Sequence, residues 1–324
     1  MINKQHFDII LKYVNLLCPN IRKPKFDSQY YLTQILDMIN DFVTWRSLKK
    51  SANYVNKSSY HYKTIAKKHI LWSKKGVYRL AYEEIIENKH NNIVNEDDKK
   101  MDLFIDSTMI FNKGGVECIG YGGETKKKKF TKLTAVCNKN GNNIQILPNN
   151  TIQKLIINPI KIDVFNINED IGIKKYELPN SDIIKFDINE DINEDINIKK
   201  LIKGNKYNKI NIINTLEHDI KGVLPILNKI KHENVDVNLI GDKGYIMNNT
   251  DKKVLKELKV TIITPKRKNQ KGKNTESEKN KLKKRYKVEN MFQKNKTYNR
   301  VLIRRDKLIA TYMGFVYLSC IHVS

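Results

Sequence analysis

The sequence is short of the residues that staple or metallate a small protein. Its four cysteines, Cys18, Cys118, Cys137 and Cys320, lie far apart and form no CxxC pair. That argues against a structural zinc site and a disulfide framework, and it suits a reducing compartment. The histidines are equally scattered, with no HxxxH spacing. Met1 to Tyr13 lacks the apolar run and small-residue cleavage site of a secretory leader. The most apolar segment, Leu308 to Val323, is interrupted by Thr311, Tyr312, Ser319 and His322. A membrane span needs about 20 predominantly apolar residues, so this segment reads as a buried terminal helix. The expectation is a soluble, intracellular protein with no membrane partner.

Acidic residues are also scarce against the basic ones: 35 Asp and Glu face 60 Lys and Arg, for a formal charge of +25. Such a chain repels itself unless a polyanion neutralises it, and nucleic acid gains further from counterion release. Lysine enrichment in an AT-rich genome accounts for such an excess equally well, so charge supports DNA binding without establishing it.

The first 95 or so residues read as a helical domain. Leu32, Ile35, Leu36, Ile39 and Phe42 recur at helical spacing. Trp45, Leu48, Ala52 and Val55 form a second unit, followed by Asn56-Lys57-Ser58-Ser59 as a turn and N-cap. A helix from Tyr60 carries Ile65, Ile70, Leu71 and Trp72, with Lys63 and Lys67 on other faces, and Gly76 closes it. Two short helices across a turn, the second basic, suit a helix-turn-helix DNA reader in which Lys63 and Lys67 touch DNA. A small helical bundle with solvated lysines has the same spacing.

A polar linker at 91–100 precedes a different pattern. Leu103-Phe104-Ile105 reads as a strand ending in Asp106, and strands are expected at Val116–Tyr121, Phe130–Cys137 and Asn143–Leu147. Residues 159–208 contain DINEDINEDIN, a low-complexity insertion to which no chemistry is assigned. A helix from about Asp219 to Lys231, a strand from Val235 to Ile240, a helix at Lys252–Leu258 and a strand at Val260–Ile263 imply parallel pairing. Pro265 to Lys287 is a basic run read as a flexible arm that orders on DNA. Lys126–Lys129 is a second basic run, readable as a plain hairpin tip.

Two aspartates follow apolar strands: Asp106 after Leu-Phe-Ile and Asp242 after Asn-Leu-Ile-Gly. A carboxylate at a strand end projects into the crevice where α/β sheets hold ligands. A third carboxylate, Glu289, lies in a helical context. Three carboxylates without His or Cys favour a hard cation, Mg²⁺ or Mn²⁺. Taken alone, Asp106 is also readable as an N-cap, Asp242-Lys243-Gly244 as a plain turn, and Glu289 as an exposed helix residue.

The motifs around these positions resemble a known family. Leu239-Ile240-Gly241-Asp242-Lys243-Gly244-Tyr245 looks like the "aDkGY" element of bacterial insertion-sequence DDE transposases, and Ile105-Asp106-Ser107-Thr108 is similar to their "iDsT" element. Arg285, Glu289 and Lys296 reproduce the family's Arg, three residues, Glu, six residues, Lys arrangement. The tyrosine that normally opens that arrangement is replaced by Leu282. His218-Asp219 resembles a further aspartate that the family carries between its first two catalytic ones. Trp45-Arg46-Ser47-Leu48 and Trp72 with Gly76-Val77 look like elements of the family's helical front end, with Lys49 where a proline is expected.

The resemblance implies an α/β, ribonuclease-H-like mixed sheet flanked by helices over 100–324, behind the all-helical N-terminal region. It implies a DNA transposase with catalytic and metal-holding Asp106, Asp242 and Glu289, and two Mg²⁺ or Mn²⁺ ions. Double-stranded DNA would be the partner, met by Arg285 and Lys296 with Lys243 and Lys287 nearby, and the protein would act as a homo-oligomer on DNA. The alternatives left open are an inactive, domesticated DNA-binding copy and a nuclease on the same fold.

Overall fold

The computed structural model describes residues 2–19, 26–41, 44–50, 61–91, 100–122, 128–149, 151–157, 183–185, 210–216, 218–228, 230, 236–267 and 272–323. The linker at 92–99, the turn at 56–59 and most of the insertion at 159–208 lie outside these residues.

Four helices open the chain: α1 (Lys4–Leu17), α2 (Ser28–Asp41), α3 (Tyr62–Lys74) and α4 (Val77–Asn91). Asn3 caps α1 by accepting from the His6 amide at 2.8 Å, which satisfies one of the orphan N–H groups of the first turn. The expected helix at Trp45 is a short 3₁₀ turn, Trp45–Lys50, so the first arm of the anticipated helix-turn-helix is a single tight element before residues outside the described set. Lys63 and Lys67 are exposed on α3, as their spacing implied.

The main sheet is built on β1 (Lys100–Asn112). Antiparallel to it runs β3 (Lys128–Asn138), which carries β4 (Asn143–Pro148) and the short β2 (Gly120–Gly122) on its other edge. Parallel to β1 runs β8 (Asp236–Ile240), and beyond it β9 (Val260–Ile263). A separate antiparallel sheet of β5 (Thr151–Ile157), β6 (Ile183–Lys185) and β7 (Ile210–Leu216) is spliced between β4 and β8. In the order β4-β3-β1-β8-β9 only β3 runs antiparallel to β1, which makes this the mixed sheet that a ribonuclease-H-like fold leads one to expect.

The β–α–β crossovers supply α5 (Val223–Leu227) and α6 (Asn249–Glu257), the latter capped by Asn248. After the sheet come α7 (Glu276–Lys283), α8 (Tyr286–Lys296), α9 (Asn299–Leu302), β10 (Ile303–Arg304) and α10 (Ile309–Val323). β10 pairs in parallel with the far end of β1.

Three expectations are corrected. Asp106 is inside β1 rather than at its end, because pairing with β3 continues to Phe111 opposite Phe130. Residues 116–119 form a looped approach to β2 rather than a strand, pinned by the buried Arg304 guanidinium, which donates to the Glu117 carbonyl at 2.6 Å. The basic run before Lys287 is partly ordered: Thr275 and Glu278 make a reciprocal capping box on α7, and Lys281 pairs with Asp102 at 2.7 Å.

The terminal helix α10 is buried from Thr311 to Ile321 and packs against α2, α3 and α4, joining the front helices to the sheet. His69 of α3 lies at this seam, stacked on Phe315 with ring centroids 4.0 Å apart. Its Nε2 meets the Thr311 carbonyl at 3.1 Å, which can only accept, so Nε2 carries the proton and Nδ1 accepts from the Tyr78 hydroxyl. Arg300 and Asp306 form a buried ion pair at 2.5 Å beside the same ring cluster, with the Arg300 guanidinium 4.6 Å from the centre of Phe315. No described helix is long and apolar enough to cross a membrane.

Candidate active site

The parallel register of β1 and β8 decides where the two aspartates meet. Leu103 stands opposite Leu239 and Phe104 opposite Ile240. Continued past the strand end, this offset brings Asp106 level with Asp242 on the neighbouring chain segment. Gly241 makes the exit possible, since a Cβ there would lie 2.9 Å from the Tyr245 ring and 3.1 Å from Ile105. Asp242 then caps a 3₁₀ turn (Lys243–Tyr245), its Oδ1 accepting from the Gly244 amide at 2.7 Å.

Glu289 reaches the same place from α8, which packs across β1. The connection is made by Arg285 at the helix N-cap. Its guanidinium donates to Asp106 Oδ2 at 2.6 Å and to Glu289 Oε1 at 2.6 Å. Two carboxylates from distant parts of the chain therefore share one cation, here an organic one. Asp106 Oδ1 accepts from the Ser107 amide at 2.8 Å. Burial raises the Asp106 carboxyl above its usual range; the Ser107 amide and Arg285 pull it back, while the charges of Asp242 and Glu289 push it up. That mutual repulsion marks the three as one electrostatic cluster.

Further groups support this cluster. The Asp219 carboxylate pairs with Lys132 at 2.5 Å, and a side chain on Gly244 would meet both Asp242 Oδ1 (2.9 Å) and Asp219 Oδ2 (3.4 Å). The fully buried Tyr245 extends its hydroxyl to Ser107 Oγ at 2.9 Å, Ser107 Oγ meets Thr134 Oγ1 at 2.8 Å, and Thr134 donates to Asn149 Oδ1 at 2.8 Å. This rail ties the Asp242 turn to β1, β3 and the end of β4. Lys132, Thr134 and Asn149 carry no motif, and only the β1–β3 register, Ser107 opposite Thr134, brings them in.

Of the basic residues expected near the chemistry, Lys296 enters the site: its Nζ donates to Thr108 Oγ1 at 2.6 Å, and burial lowers its pKa. Lys243 is exposed beside Asp242. Lys287 turns the other way and donates to the Lys139 carbonyl at the β3–β4 turn. Lys63 and Lys67 belong to α3, on a different element of the fold.

Among the described residues, no group of three or more His, Cys, Asp or Glu side chains is gathered tightly enough to grip a metal ion as it stands. The donor set nevertheless fits a hard divalent ion: oxygen ligands only, two of them already aimed at a shared positive charge. Arg285 holds the space between them.

Residues 212–317 match the family described as the transposase DDE domain. The matched span contains Asp219, Asp242, Arg285, Glu289 and Lys296, and Asp106 lies before it. Among solved structures, the cryo-EM structure of the piggyBac transposase synaptic complex with hairpin DNA is similar at 12% identity and a TM-score of 0.46, covering 99% of this chain and 71% of that one. No curated protein matches. The likeness to the transposase DDE domain family spans residues 212–317, about a third of the chain.

Proposed function

We propose that this protein is a DNA transposase that cuts phosphodiester bonds at the ends of a mobile element and joins the freed end to target DNA, with Asp106, Asp242 and Glu289 as its catalytic carboxylates. The observation that carries this reading is the shared guanidinium of Arg285 between Asp106 and Glu289, beside an Asp242 that the strand register brings level with Asp106. DDE transposases work with divalent cations, and the all-oxygen donors here suit Mg²⁺ or Mn²⁺, two ions held by the three carboxylates. Ions held there by Asp106, Asp242 and Glu289 would supply Lewis acidity, lowering the pKa of an attacking hydroxyl and offsetting charge on the departing oxygen.

The chain's own residues do the rest. Arg285 and Lys296 are cationic donors on either side of Glu289, one at each end of α8, and both bind phosphate oxygens of the DNA. Lys243 adds a backbone contact next to Asp242. Ser107, Tyr245, Thr134 and Asn149 keep the two aspartates at a fixed separation. Attack by water on phosphorus forms one P–O bond and breaks the bond to the 3′ oxygen, which leaves as a hydroxyl; attack by that hydroxyl on target DNA is the same exchange with a new nucleophile. No protein nucleophile is required. Acting on two ends at once favours a homo-oligomer on DNA.

The test is incubation of the purified protein with DNA carrying element ends, plus Mg²⁺. Nicking and strand-transfer products that disappear in Asp242→Ala support the reading. DNA binding with no metal-dependent cleavage overturns it, and cleavage without joined products reduces the protein to a nuclease.

A further inference from the structure

The far half of β1 carries an exposed apolar ridge that the carboxylate chemistry does not use. Three of the nine exposed large apolar side chains among the described residues fall between 109 and 116: Met109 (55%), Phe111 (37%) and Val116 (51%). Scattered surface apolar residues need no explanation, but adjacent ones on one sheet face do. Side chains alternate along a strand, so Met109 and Phe111 share a face with Ser107. Phe130, the cross-strand partner of Phe111, completes the ridge, with the two rings 6.1 Å apart and edge-to-face.

Its surroundings are basic. Lys113 Nζ lies 5.9 Å from the centre of the Phe111 ring, and Lys128 is exposed on the neighbouring strand. Residues 107–116 and 128–138 contain no Asp or Glu. Asp219 reaches this face but is paired at 2.5 Å with Lys132, the cross-strand partner of Met109, and Glu117 is engaged elsewhere, accepting from the Ile309 amide at 2.6 Å. The ridge is also rigidly mounted. Arg304, fully buried beneath it, donates to the Glu117 carbonyl, to Thr131 Oγ1 at 2.9 Å and to the Lys307 carbonyl at 3.1 Å. Asn112 Oδ1 accepts from the Gly115 amide at 2.6 Å, and a Cβ on Gly115 would lie 2.4 Å from the Arg304 guanidinium.

Position gives the ridge its meaning. β8 leaves β1 at Phe104 and β10 joins at Phe111, so between them β1 has β3 alone as a described strand neighbour. Ser107 touches Tyr245 under the Asp242 turn. At about 3.3 Å per residue, Met109 and Phe111 stand roughly 7 and 13 Å further along. Flat rings and a polarizable thioether, flanked by Lys113 and Lys128 and with the one neighbouring carboxylate, Asp219, neutralised by Lys132, match unpaired nucleobases on a phosphate backbone. A second copy of this +25 chain would bring lysines against lysines.

We infer that Met109, Phe111 and Phe130 form a stacking platform for unpaired nucleotides of the DNA strand that leaves the carboxylate site on its Asp242 side, with Lys113 and Lys128 contacting its phosphates. The inference rests on the transposase reading and names a substrate feature for it: a single-stranded or opened segment beside the cut.

The experiment compares full-length protein, in Ca²⁺ buffer, on a blunt DNA duplex and on the same duplex with a short single-stranded extension carrying 2-aminopurine. The expected result is about tenfold tighter binding of the extended duplex, with altered 2-aminopurine fluorescence. Phe111→Ala should bring the two affinities within about twofold while leaving blunt-duplex binding unchanged, and Phe111→Trp should restore both preference and signal. Equal affinities in the parent protein, or a preference untouched by Phe111→Ala, overturn the platform while leaving the transposase reading standing. Self-association that Phe111→Ala abolishes, with no change on DNA, assigns the ridge to a second copy and also overturns it. Failure to bind either duplex removes both readings together.

Discussion

The hydroxyls of Ser107 and Tyr245 meet at 2.9 Å, joining the residue after Asp106 to the turn that begins with Asp242. Tyr245 is fully buried, so its hydroxyl has no water to fall back on. Tyr245→Phe should cost about 1 kcal/mol of stability, the usual net value of such a bond. Its larger effect should be on divalent-cation binding, because the Asp106–Asp242 separation loses its brace. Calorimetric titration with Mn²⁺ checks this: weaker cation binding at nearly unchanged melting temperature is the expected outcome, and unchanged cation binding contradicts it.

Arg285 competes for the carboxylates that a metal would use. Arg285→Ala should therefore melt earlier than the parent protein in EDTA and gain more from added Mn²⁺. On the proposed function Arg285 also contacts phosphate, so with the same substitution the slope of log affinity for DNA against log salt should fall by about 1. Thermal melts and salt-series binding measure the two effects separately. A variant that loses cation binding along with DNA binding would instead make Arg285 a brace for the site.

Acid should loosen the seam between the front helices and α10. Burial first, and the charge of Arg300 second, lower the His69 pKa from 6.5 to about 3. The unfolded chain therefore binds this proton more readily than the native one. The stability that depends on neutral His69 is complete above pH 6.5 and is lost as pH falls toward 3, at about 1.4 kcal/mol per unit. Urea unfolding at a series of pH values should show this slope, and His69→Gln should flatten it.

Asp306→Ala should be among the most damaging single changes. It strands the Arg300 guanidinium, which is buried against Phe315 and paired to Asp306 at 2.5 Å. Breaking one side of a buried pair costs about 3–5 kcal/mol. Gly314→Ala should act at the same seam, because the added carbon would lie 2.3 Å from Ser73 Oγ and 3.1 Å from the His69 ring. Chemical denaturation measures both.

Much of this was readable along the chain, and the misses have a common cause. The core strands, the buried terminal helix and the motifs around Asp106, Asp242 and Glu289 are local patterns of apolar spacing and chemistry. Ser107 and Thr108 looked like the end of a strand because they are polar, yet β1 continues, since β3 pairs with it through Phe111. Pro265 to Lys287 looked structureless because lysines dominate it, while one Thr275–Glu278 capping box and a lysine bonded to Asp102 order part of it. Lys132, Thr134 and Asn149 belong to the site only through strand register, which pairs residues far apart in sequence. The level placement of Asp106 and Asp242 is of the same kind.

The spliced sheet has a consequence for how this protein tolerates change. Thr151 at its entrance is paired with Leu216 at its exit, so the segment leaves and re-enters the body through neighbouring positions on adjoining strands. Whatever the number of residues between them, the two ends felt by the sheet that carries Asp106 and Asp242 are the same. Doubling such an excursion adds only about 0.6 kcal/mol of closure entropy. Repeats like DINEDINEDIN can thus accumulate or be trimmed there by replication slippage at little thermodynamic cost, and the doorway is where a foreign domain could be grafted without retuning the carboxylates.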